Sequence, residues 1–403
     1  MKRALCAVAI VFGATGVGGA AAPPTVLLAL TGIGAEARLL ALEPRTLEPR
    51  GSLQVPDWAF GREWAHSPDG ERLALVPKPS ETNERMFVIG IRGSLRILAQ
   101  LPFPGEDVCR LAWPTKTRLL VVLTRGTACY GAIESSRVLV VDALRARVVA
   151  ERPLSGPATV VATARTRGGL ALLLAPTGRR SGARLVLIAA AGTRSIPLPT
   201  LSAVPRPLDK SIAGSAVGLT VDGERRYAYL AEPQGRIMEV DLASGKVRAR
   251  DMAFRKPAST AKGIRGPAVQ ALALPGGSLA VTGVTRTSHG DLVPLGLWLV
   301  DTRTWRSRLR DPGARGISYS AGALLVVGAI GLRAYDLDGS LRFRVLDGRS
   351  IGAARAQAGY AYVAVGPAPG ATSVVDLSDG RVEAPGPNAV SISPFELLAG
   401  SGH

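Results

Sequence analysis

The chain repeats a pattern in which an apolar run ends at an aspartate, a short turn follows, and a polar segment returns. The clearest copies are VLVVDALRARVVAE, IMEVDLASGKVRAR, LWLVDTRTWRSRLR, LRAYDLDGSLRFRV and SVVDLSDGRVEA. Their aspartates are Asp142, Asp241, Asp301, Asp336 and Asp376. Two short alternating segments around a turn rich in Asp, Gly or Ser are typical of a β-hairpin. This pattern predicts a chain built from antiparallel strands.

A second hairpin precedes these, made of a short apolar strand, a tight turn and a fully apolar strand. Examples are WAHSPDGERLALV, GLTVDGERRYAYLA, LALPGGSLAVTG, ISYSAGALLVVG and AQAGYAYVAVG. Two hairpins give four strands in about 35 to 60 residues, the size of a propeller blade. The second and third strands are nearly continuous apolar runs, as expected for strands buried on both faces. We therefore predict an all-β fold, a single β-propeller of four-stranded antiparallel blades.

Eight blades can be counted, and seven is the alternative because the most degenerate units are hard to separate. The first unit, TVLLALTGIGAEARLLALEPRTLEPRGSLQV, lacks an innermost strand. The C-terminal stretch NAVSISPFELLAG is positioned to supply it. We expect a ring closed by strands from both chain ends, since closure removes the last open edge.

The SPDGERLALV turn, from Ser67 to Val76, and the VDLxSGKV-like hairpins resemble bacterial WD40-like and YVTN-type propellers. Similar blades occur in quinoprotein amine dehydrogenase-like proteins. The resemblance implies the propeller fold over nearly all of the mature chain and implies no function. A quinone-cofactor dehydrogenase would carry tryptophan docking repeats, whereas the five tryptophans here do not recur at one blade position. We therefore predict no cofactor.

The N-terminus has the three-part layout of a secretory signal peptide. Lys2 and Arg3 form a basic start, the apolar stretch ALCAVAIVFGATGVGG follows, and small alanines precede two prolines. The layout predicts a signal peptide over residues 1–22 and a propeller domain over residues 23–403. We expect an exported protein, extracellular or in the cell envelope, with no membrane insertion after cleavage. An uncleaved N-terminal membrane anchor is the alternative.

Cys109 and Cys129 are the two cysteines that remain once the signal peptide is removed. We expect a disulfide between them, because an even pair of cysteines in an oxidising compartment tends to be joined. Such a bond would fasten one local loop. A pair this isolated does not form a metal site.

Few residues are suited to metal binding or acid–base catalysis. The three histidines are His66, His289 and His403. His289 and Asp291, in one long loop, are the sequence-local candidates for an active site. Asp336 and Asp338 resemble the beginning of a calcium loop, but the remaining acidic ligands are missing, so a turn motif is expected. We predict no metal and no catalytic residue.

The formal net charge is +18 and is carried almost entirely by arginine. Such a charge indicates either an anionic partner or arginines placed on outer strands to keep sheet edges soluble. The predicted fourth strands do carry outward arginines: Arg248, Arg250, Arg306, Arg308, Arg310, Arg342 and Arg344. Edge protection therefore accounts for much of the charge.

The long connections all fall between second and third strands or between blades, and a propeller brings both kinds to one face. Long loops on one side of a rigid scaffold are where binding function is usually built. The predicted ligand-binding cations of this long-loop face are Lys78, Arg125, Arg179, Arg180, Arg206, Lys210, Arg255, Lys256, Lys262, Arg265 and Arg286. Its acids are fewer: Glu81, Glu84, Glu134, Asp209 and Asp291. The alternative is that these loops are only solvated and variable.

The sequence favours a monomeric, exported, non-enzymatic binding or scaffold module. Its long-loop face would recognise an anionic ligand or an acidic protein or polymer surface, for example a cell-surface polymer. Nucleic acid is not an expected partner, because an exported protein meets little of it. The alternative is an extracytoplasmic enzyme, a lactonase-like hydrolase or an oxidoreductase, with its site at the mouth of the central channel.

Overall fold

The chain is organised as successive antiparallel β-sheets. The computed structural model describes residues 26–32, 36–55, 63–76, 84–126, 133–154, 158–166, 168–176, 182–189, 191–201, 217–224, 226–232, 235–252, 268–286, 292–328, 330–366, 372–392 and 397–398. The regular elements within these ranges are all β-strands. The predicted all-β class is therefore confirmed.

The first four sheets, here units 1 to 4, use consecutive strands in simple order. Unit 1 contains β1 (Leu27–Thr31), β2 (Arg38–Leu42) and β3 (Pro49–Gln54). Unit 2 contains β4 (Trp64–His66), β5 (Arg72–Leu75), β6 (Glu84–Gly90) and β7 (Arg96–Phe103). Unit 3 contains β8 (Asp107–Ala112), β9 (Arg118–Gly126), β10 (Ile133–Asp142) and β11 (Arg147–Leu154). Unit 4 contains β12 (Ala158–Thr166), β13 (Gly169–Pro176), β14 (Ala183–Ala189) and β15 (Thr193–Leu198).

The remaining strands continue the pattern. Unit 5 contains β16 (Gly218–Val221), β17 (Tyr227–Ala231), β18 (Arg236–Asp241) and β19 (Val247–Asp251). Unit 6 contains β20 (Ala268–Leu274), β21 (Ser278–Arg286), β22 (Leu292–Pro294), β23 (Leu297–Asp301) and β24 (Ser307–Asp311), with β22 paired to β21 alone. The last sheet contains β25 (Ala314–Ser320), β26 (Ala323–Gly328), β27 (Ile330–Tyr335), β28 (Leu341–Gln357), β29 (Tyr360–Val365), β30 (Thr372–Asp376) and β31 (Val382–Glu383).

The seven-stranded last sheet contains two four-stranded units that share one strand. The first part of β28 pairs with β27 and closes unit 7 (β25–β28). Residues 351–357 of the same strand pair with β29 and open unit 8 (β28–β31). The described strands therefore form eight successive units, while the blade count of the complete ring stays a prediction.

Apolar side chains fill the space between neighbouring units. Leu119 and Val121 of unit 3, for example, share a cluster with Ala74 and Val88 of unit 2. In the same way the last unit packs on the first, because Tyr362 of β29 lies in one cluster with residues of β1 and β2. Burying the apolar faces of the sheets between units is the main source of stability expected for such a fold.

The C-terminal segment contacts the inner edge of unit 1, where the sequence predicted a missing strand. Leu397 forms an antiparallel bridge with Ala29. The Leu398 N–H donates to the carbonyl oxygen of Leu28 over 2.8 Å. Residues 393–396 lie outside the described ranges, so the complete closing strand stays a prediction.

Arginines of several outer strands reach across to the next unit. The guanidinium of Arg152 donates to the carbonyl oxygen of Ala189 over 2.6 Å, and that of Arg342 to Leu377 over 3.2 Å. Arg194 likewise donates to the carbonyl of Leu242 over 3.2 Å. Each acceptor lies at the turn before the fourth strand of the following unit. These side chains therefore clamp neighbouring units together and do more than protect a sheet edge.

Candidate functional site

Most of the cations predicted on the long-loop face lie outside the described residues. These are Lys78, Arg179, Arg180, Arg206, Lys210, Arg255, Lys256, Lys262 and Arg265. Arg125 is described and exposed near the end of β9, and the backbone of Arg286 ends β21. His289 and Asp291 also lie outside the described ranges. The long-loop site therefore stays a prediction.

The predicted disulfide involves one described cysteine. Cys109 lies on β8, is 1% exposed and is disulfide-bonded. The hydroxyl of Thr124 lies 3.0 Å from its sulfur. Cys129 lies outside the described residues, so its pairing with Cys109 stays a prediction.

The repeated aspartates build turns. The Asp241 carboxylate accepts the backbone N–H groups of Ala243 and Ser244, at 2.8 and 2.9 Å. Hydrogen bonds from these N–H groups hold the pKa of Asp241 below its usual value. The same two bonds are found at Asp142 and Asp301, while Asp376 accepts the backbone N–H and the hydroxyl of Ser378. These carboxylates are occupied by their own turns, as the sequence pattern indicated.

An arginine-lined groove of about 810 Å³ opens between units 6 and 7, and we call it the rim groove. Its walls are the outer strand β24, the turn after β23 and the turn between β27 and β28. Its arginines are Arg303, Arg306, Arg308 and Arg310. In an antiparallel four-stranded unit, the turn between the first and second strands and the turn between the third and fourth strands lie at the same end. The rim groove therefore lies on a short-turn face, opposite the long-loop face.

The close approach of the two units in the rim groove depends on a glycine. Arg308 and Arg310 both donate to the carbonyl oxygen of Asp338, the latter over 3.3 Å. The next residue, Gly339, has a φ of +84°, and a Cβ there would lie 2.8 Å from Arg310 Nε. A residue other than glycine would be strained at this φ and would push the arginine away.

The charge of the rim groove is positive overall. Asp301 and Asp338 also line it, against the four arginines. Within the described part of the chain, none of the four arginines forms an ion pair with a carboxylate. The backbone N–H of Arg303 holds the pKa of Asp301 below its usual value, and that of Ser340 does so for Asp338. Both carboxylates are therefore ionised at neutral pH and already hydrogen-bonded within their turns.

A second set of arginines lies on the inner strands, meaning the first strand of each of units 2 to 8. The inner strands of consecutive units lie side by side, as β12, β16, β20 and β25 do. The inner-strand arginines are Arg110, Arg165, Arg315 and Arg355, and each is partly buried. Burial lowers the pKa of Arg315 and lowers that of Arg355 to about 10. Arg355 remains charged at neutral pH, and Arg110 forms an ion pair with Glu63.

Some inner-strand side chains connect units that do not follow each other in sequence. Arg165 of unit 4 donates to the carbonyl oxygen of His66 in unit 2, over 3.1 Å. His66 Nε2 lies 3.1 Å from the carbonyl oxygen of Leu398. Arg355 of unit 8 donates to the Leu397 carbonyl over 2.9 Å, and its guanidinium lies 5.4 Å from the ring centroid of Trp64. The inner strands therefore converge on the C-terminal segment.

The described residues contain neither a metal-binding cluster nor a membrane-spanning helix. In these ranges no group of three or more His, Cys, Asp or Glu is placed to hold a metal ion. Nor does any helix there have the length and apolar character needed to cross a membrane.

Comparisons with known proteins give structural neighbours only. No family model matches the chain, and no curated protein sequence matches it. Among solved structures, dihydro-heme d1 dehydrogenase NirN, in complex with DHE, superposes with a TM-score of 0.59 at 15% identity. That match covers 91% of this chain and 74% of NirN. A putative 6-phosphogluconolactonase from Bacteroides uniformis superposes with a TM-score of 0.50 at 14% identity, covering 80% of this chain and 97% of the other.

The sheets stand side by side in blades, and solved propellers superpose on most of the chain. The chain is a β-propeller. This confirms the fold predicted from the repeats and the predicted likeness to propeller repeat proteins. At such low identity the likeness extends to the fold and carries no activity, since one fold hosts many functions.

The sequence identified neither arginine cluster as a site. Arg306, Arg308 and Arg310 were interpreted as edge protection, and Arg355 was not singled out at all. The rim groove forms only when the turn containing Asp338 lies beside β24, which belongs to the preceding blade. The alternation of arginines along β24 was the available signal, and it did not reveal which neighbour they face.

Proposed function

We propose that this protein is a propeller binding module that recognises an extended anionic partner in the rim groove. The observation that carries this proposal is the set of four rim-groove arginines, none of them ion-paired within the described residues. Arginine guanidiniums carry donors in a fixed fork that matches carboxylate, sulfate and phosphate groups. A partner with repeated anionic groups would satisfy several of them together.

The shape of this surface favours a polymer over a small ligand. The groove is open along the rim, and exposed arginines continue beyond it onto unit 5. There the Arg250 guanidinium lies 5.7 Å from the ring centroid of Trp305, in the same turn that carries Arg303. Arg248, two residues before Arg250 on β19, is also exposed and lies 4.0 Å from the Glu239 carboxylate. A row of cations of this kind suits an acidic polysaccharide of the cell surface.

The test compares two variants of equal charge. The groove variant is Arg303→Gln/Arg306→Gln/Arg308→Gln, and its three arginines are exposed. The control variant changes three exposed arginines on other strands, namely Arg96→Gln/Arg147→Gln/Arg349→Gln. Affinity for fluorescein-labelled heparin and for polygalacturonate is measured by fluorescence anisotropy at two salt concentrations.

We expect the groove variant to bind about tenfold more weakly, equivalent to ~1.4 kcal/mol. The control variant should change the affinity by less than about threefold, because its three arginines do not line the groove and salt screens exposed charges at a distance. Equal losses in the two variants would mean that the net charge alone attracts the polymer, and the rim groove would then be rejected as a specific site.

Export and anion binding by the long-loop face are further proposals that rest on the sequence. Export and a basic long-loop face would each be consistent with an acidic partner at the cell surface. N-terminal sequencing of the protein from culture medium and envelope fractions tests export. A mature N-terminus near residue 23 supports it, and an intact N-terminus in the cytosolic fraction overturns it.

A further inference from the structure

A buried amide group on an inner strand has no hydrogen-bond partner. Gln357 ends β28, is 5% exposed, and neither its amide nitrogen nor its amide oxygen has a partner in the described structure. Buried polar side chains are nearly always hydrogen-bonded, and one left without partners costs free energy. The exception requires an explanation, and a ligand is one that can be tested.

The same face of β28 presents a cation. Arg355 lies two residues before Gln357, and alternate residues of a strand point to the same side. Arg355 and Gln357 pair in register with Tyr362 and Tyr360 of β29, with no bulge between them. This face packs toward unit 1, since the Tyr362 hydroxyl donates to the Pro44 carbonyl oxygen over 2.9 Å. Arg355 and Gln357 therefore lie on one face of β28, and the Arg355 guanidinium contacts the C-terminal segment.

No carboxylate compensates the positive charge of Arg355 within the described residues. Its described partners are one carbonyl oxygen, that of Leu397, and the face of Trp64. A guanidinium has five N–H donors, so most of them are available to another acceptor. Placing a cation in a partly buried position without an anion is unfavourable, and a bound anion would reverse that cost.

We propose that Arg355, Gln357 and Trp64 form a binding site for a small hydroxycarboxylate. The guanidinium of Arg355 pairs with the ligand carboxylate, and the Gln357 NH₂ group donates to it. The amide oxygen of Gln357 accepts a hydroxyl of the ligand, which is why a carboxylate alone satisfies only part of the site. The Trp64 ring covers one side of the ion pair. This site is separate from the rim groove and goes beyond the proposed function.

The test uses the full-length mature protein and titrates DL-lactate, acetate and inorganic phosphate by isothermal calorimetry. The main variant is Gln357→Met, which keeps the side-chain volume but removes both polar atoms. Arg355→Lys is a second variant that keeps the charge and one donor for Leu397. The groove variant serves as the control, because its changes lie on the outer rim.

We expect lactate to bind more tightly than acetate, since a site built to hydrogen-bond a hydroxyl rejects an analogue that lacks it. Gln357→Met should weaken lactate binding by about tenfold or more, because the ligand groups lose their hydrogen-bond partners on burial. Without ligand, Gln357→Met should melt at the same or a higher temperature than the wild type. Arg355→Lys should also weaken lactate, and the groove variant should bind it like the wild type.

Three results would overturn this site. The first is no lactate binding by the wild type up to roughly 10 mM, where even a weak small ligand is detected. The second is unchanged lactate binding in Gln357→Met. The third is phosphate binding in place of lactate, which would identify an oxyanion site without a role for the amide oxygen. None of these depends on heparin binding, so the rim groove is tested independently.

Discussion

At the residue scale, arginine serves this protein mainly through the geometry of its guanidinium. Arg342 of β28 shows this best, because one side chain has three acceptor groups. It donates twice to Asp336 Oδ1, at 2.8 and 2.5 Å, and once each to the carbonyls of Leu377 and Gly322, at 3.2 and 3.3 Å. A lysine cannot reach acceptors in so many directions from one nitrogen. At this position arginine therefore makes contacts that lysine could not replace.

We expect Arg342→Lys to lower the free energy of unfolding by about 1–3 kcal/mol, through lost hydrogen bonds to a charged group and to carbonyls. Urea denaturation followed by circular dichroism measures the change. The matched control is Arg344→Lys on the same strand, where the exposed Arg344 lies 3.9 Å from Asp347. That control should change stability by less than about 0.5 kcal/mol. Equal losses of stability at the two positions would contradict the role of Arg342 in holding neighbouring units together.

At the scale of the element, the C-terminal segment is short but contacts the inner edge of unit 1 and side chains of two inner strands. Leu397 is fully buried and bridges to Ala29, and its carbonyl and that of Leu398 are held by Arg355 and His66. Without the segment, the inner edge of β1 would present unpaired N–H and C=O groups. Open strand edges of this kind invite aggregation.

We expect Leu397→Ala to destabilise the protein by about 2–5 kcal/mol, the usual cost of truncating a buried leucine. Thermal unfolding should also become less reversible, which light scattering during the melt would record. Leu341→Ala is the control, because Leu341 is 50% exposed on β28. A Leu397 variant as stable as this control would show that the bridge to β1 is dispensable.

At the scale of the whole molecule, a formal net charge of +18 causes repulsion between the cations. This repulsion opposes the stabilisation that local ion pairs provide. Several described arginines do form pairs, such as Arg137 with Glu106 and Arg333 with Asp311. The four rim-groove arginines and Arg355 instead form no ion pair within the described residues. Long-range repulsion is screened by salt more effectively than partly buried pairs at short distance.

We therefore expect the melting temperature to rise by a few degrees between about 20 mM and 300 mM NaCl, because screening relieves self-repulsion. Differential scanning fluorimetry measures it. The groove variant, which has less charge, should show a smaller rise than the wild type. A melting temperature that falls with salt would mean that ion pairs dominate the electrostatic stability.

The sequence alone was enough to predict the fold, because strands and turns are encoded locally. An apolar run followed by Asp241 and a small, polar turn specifies its own hairpin through bonds to residues two and three positions away. The repetition of that pattern along the chain predicted a propeller, and the aspartates are in fact turn residues. The C-terminal contact with unit 1 was also anticipated, since a missing strand leaves an unsatisfied edge.

The candidate sites were decided by the tertiary structure. Arg355 is an ordinary polar residue of a strand until Leu397 and Trp64 are placed against it, and Trp64 comes from the other end of the chain. The rim arginines form a groove only because the Asp338 turn of the next blade approaches them. Hydrophobic alternation determines which face of a strand is buried. It does not determine which distant side chains share that face, since this depends on the order and packing of the blades.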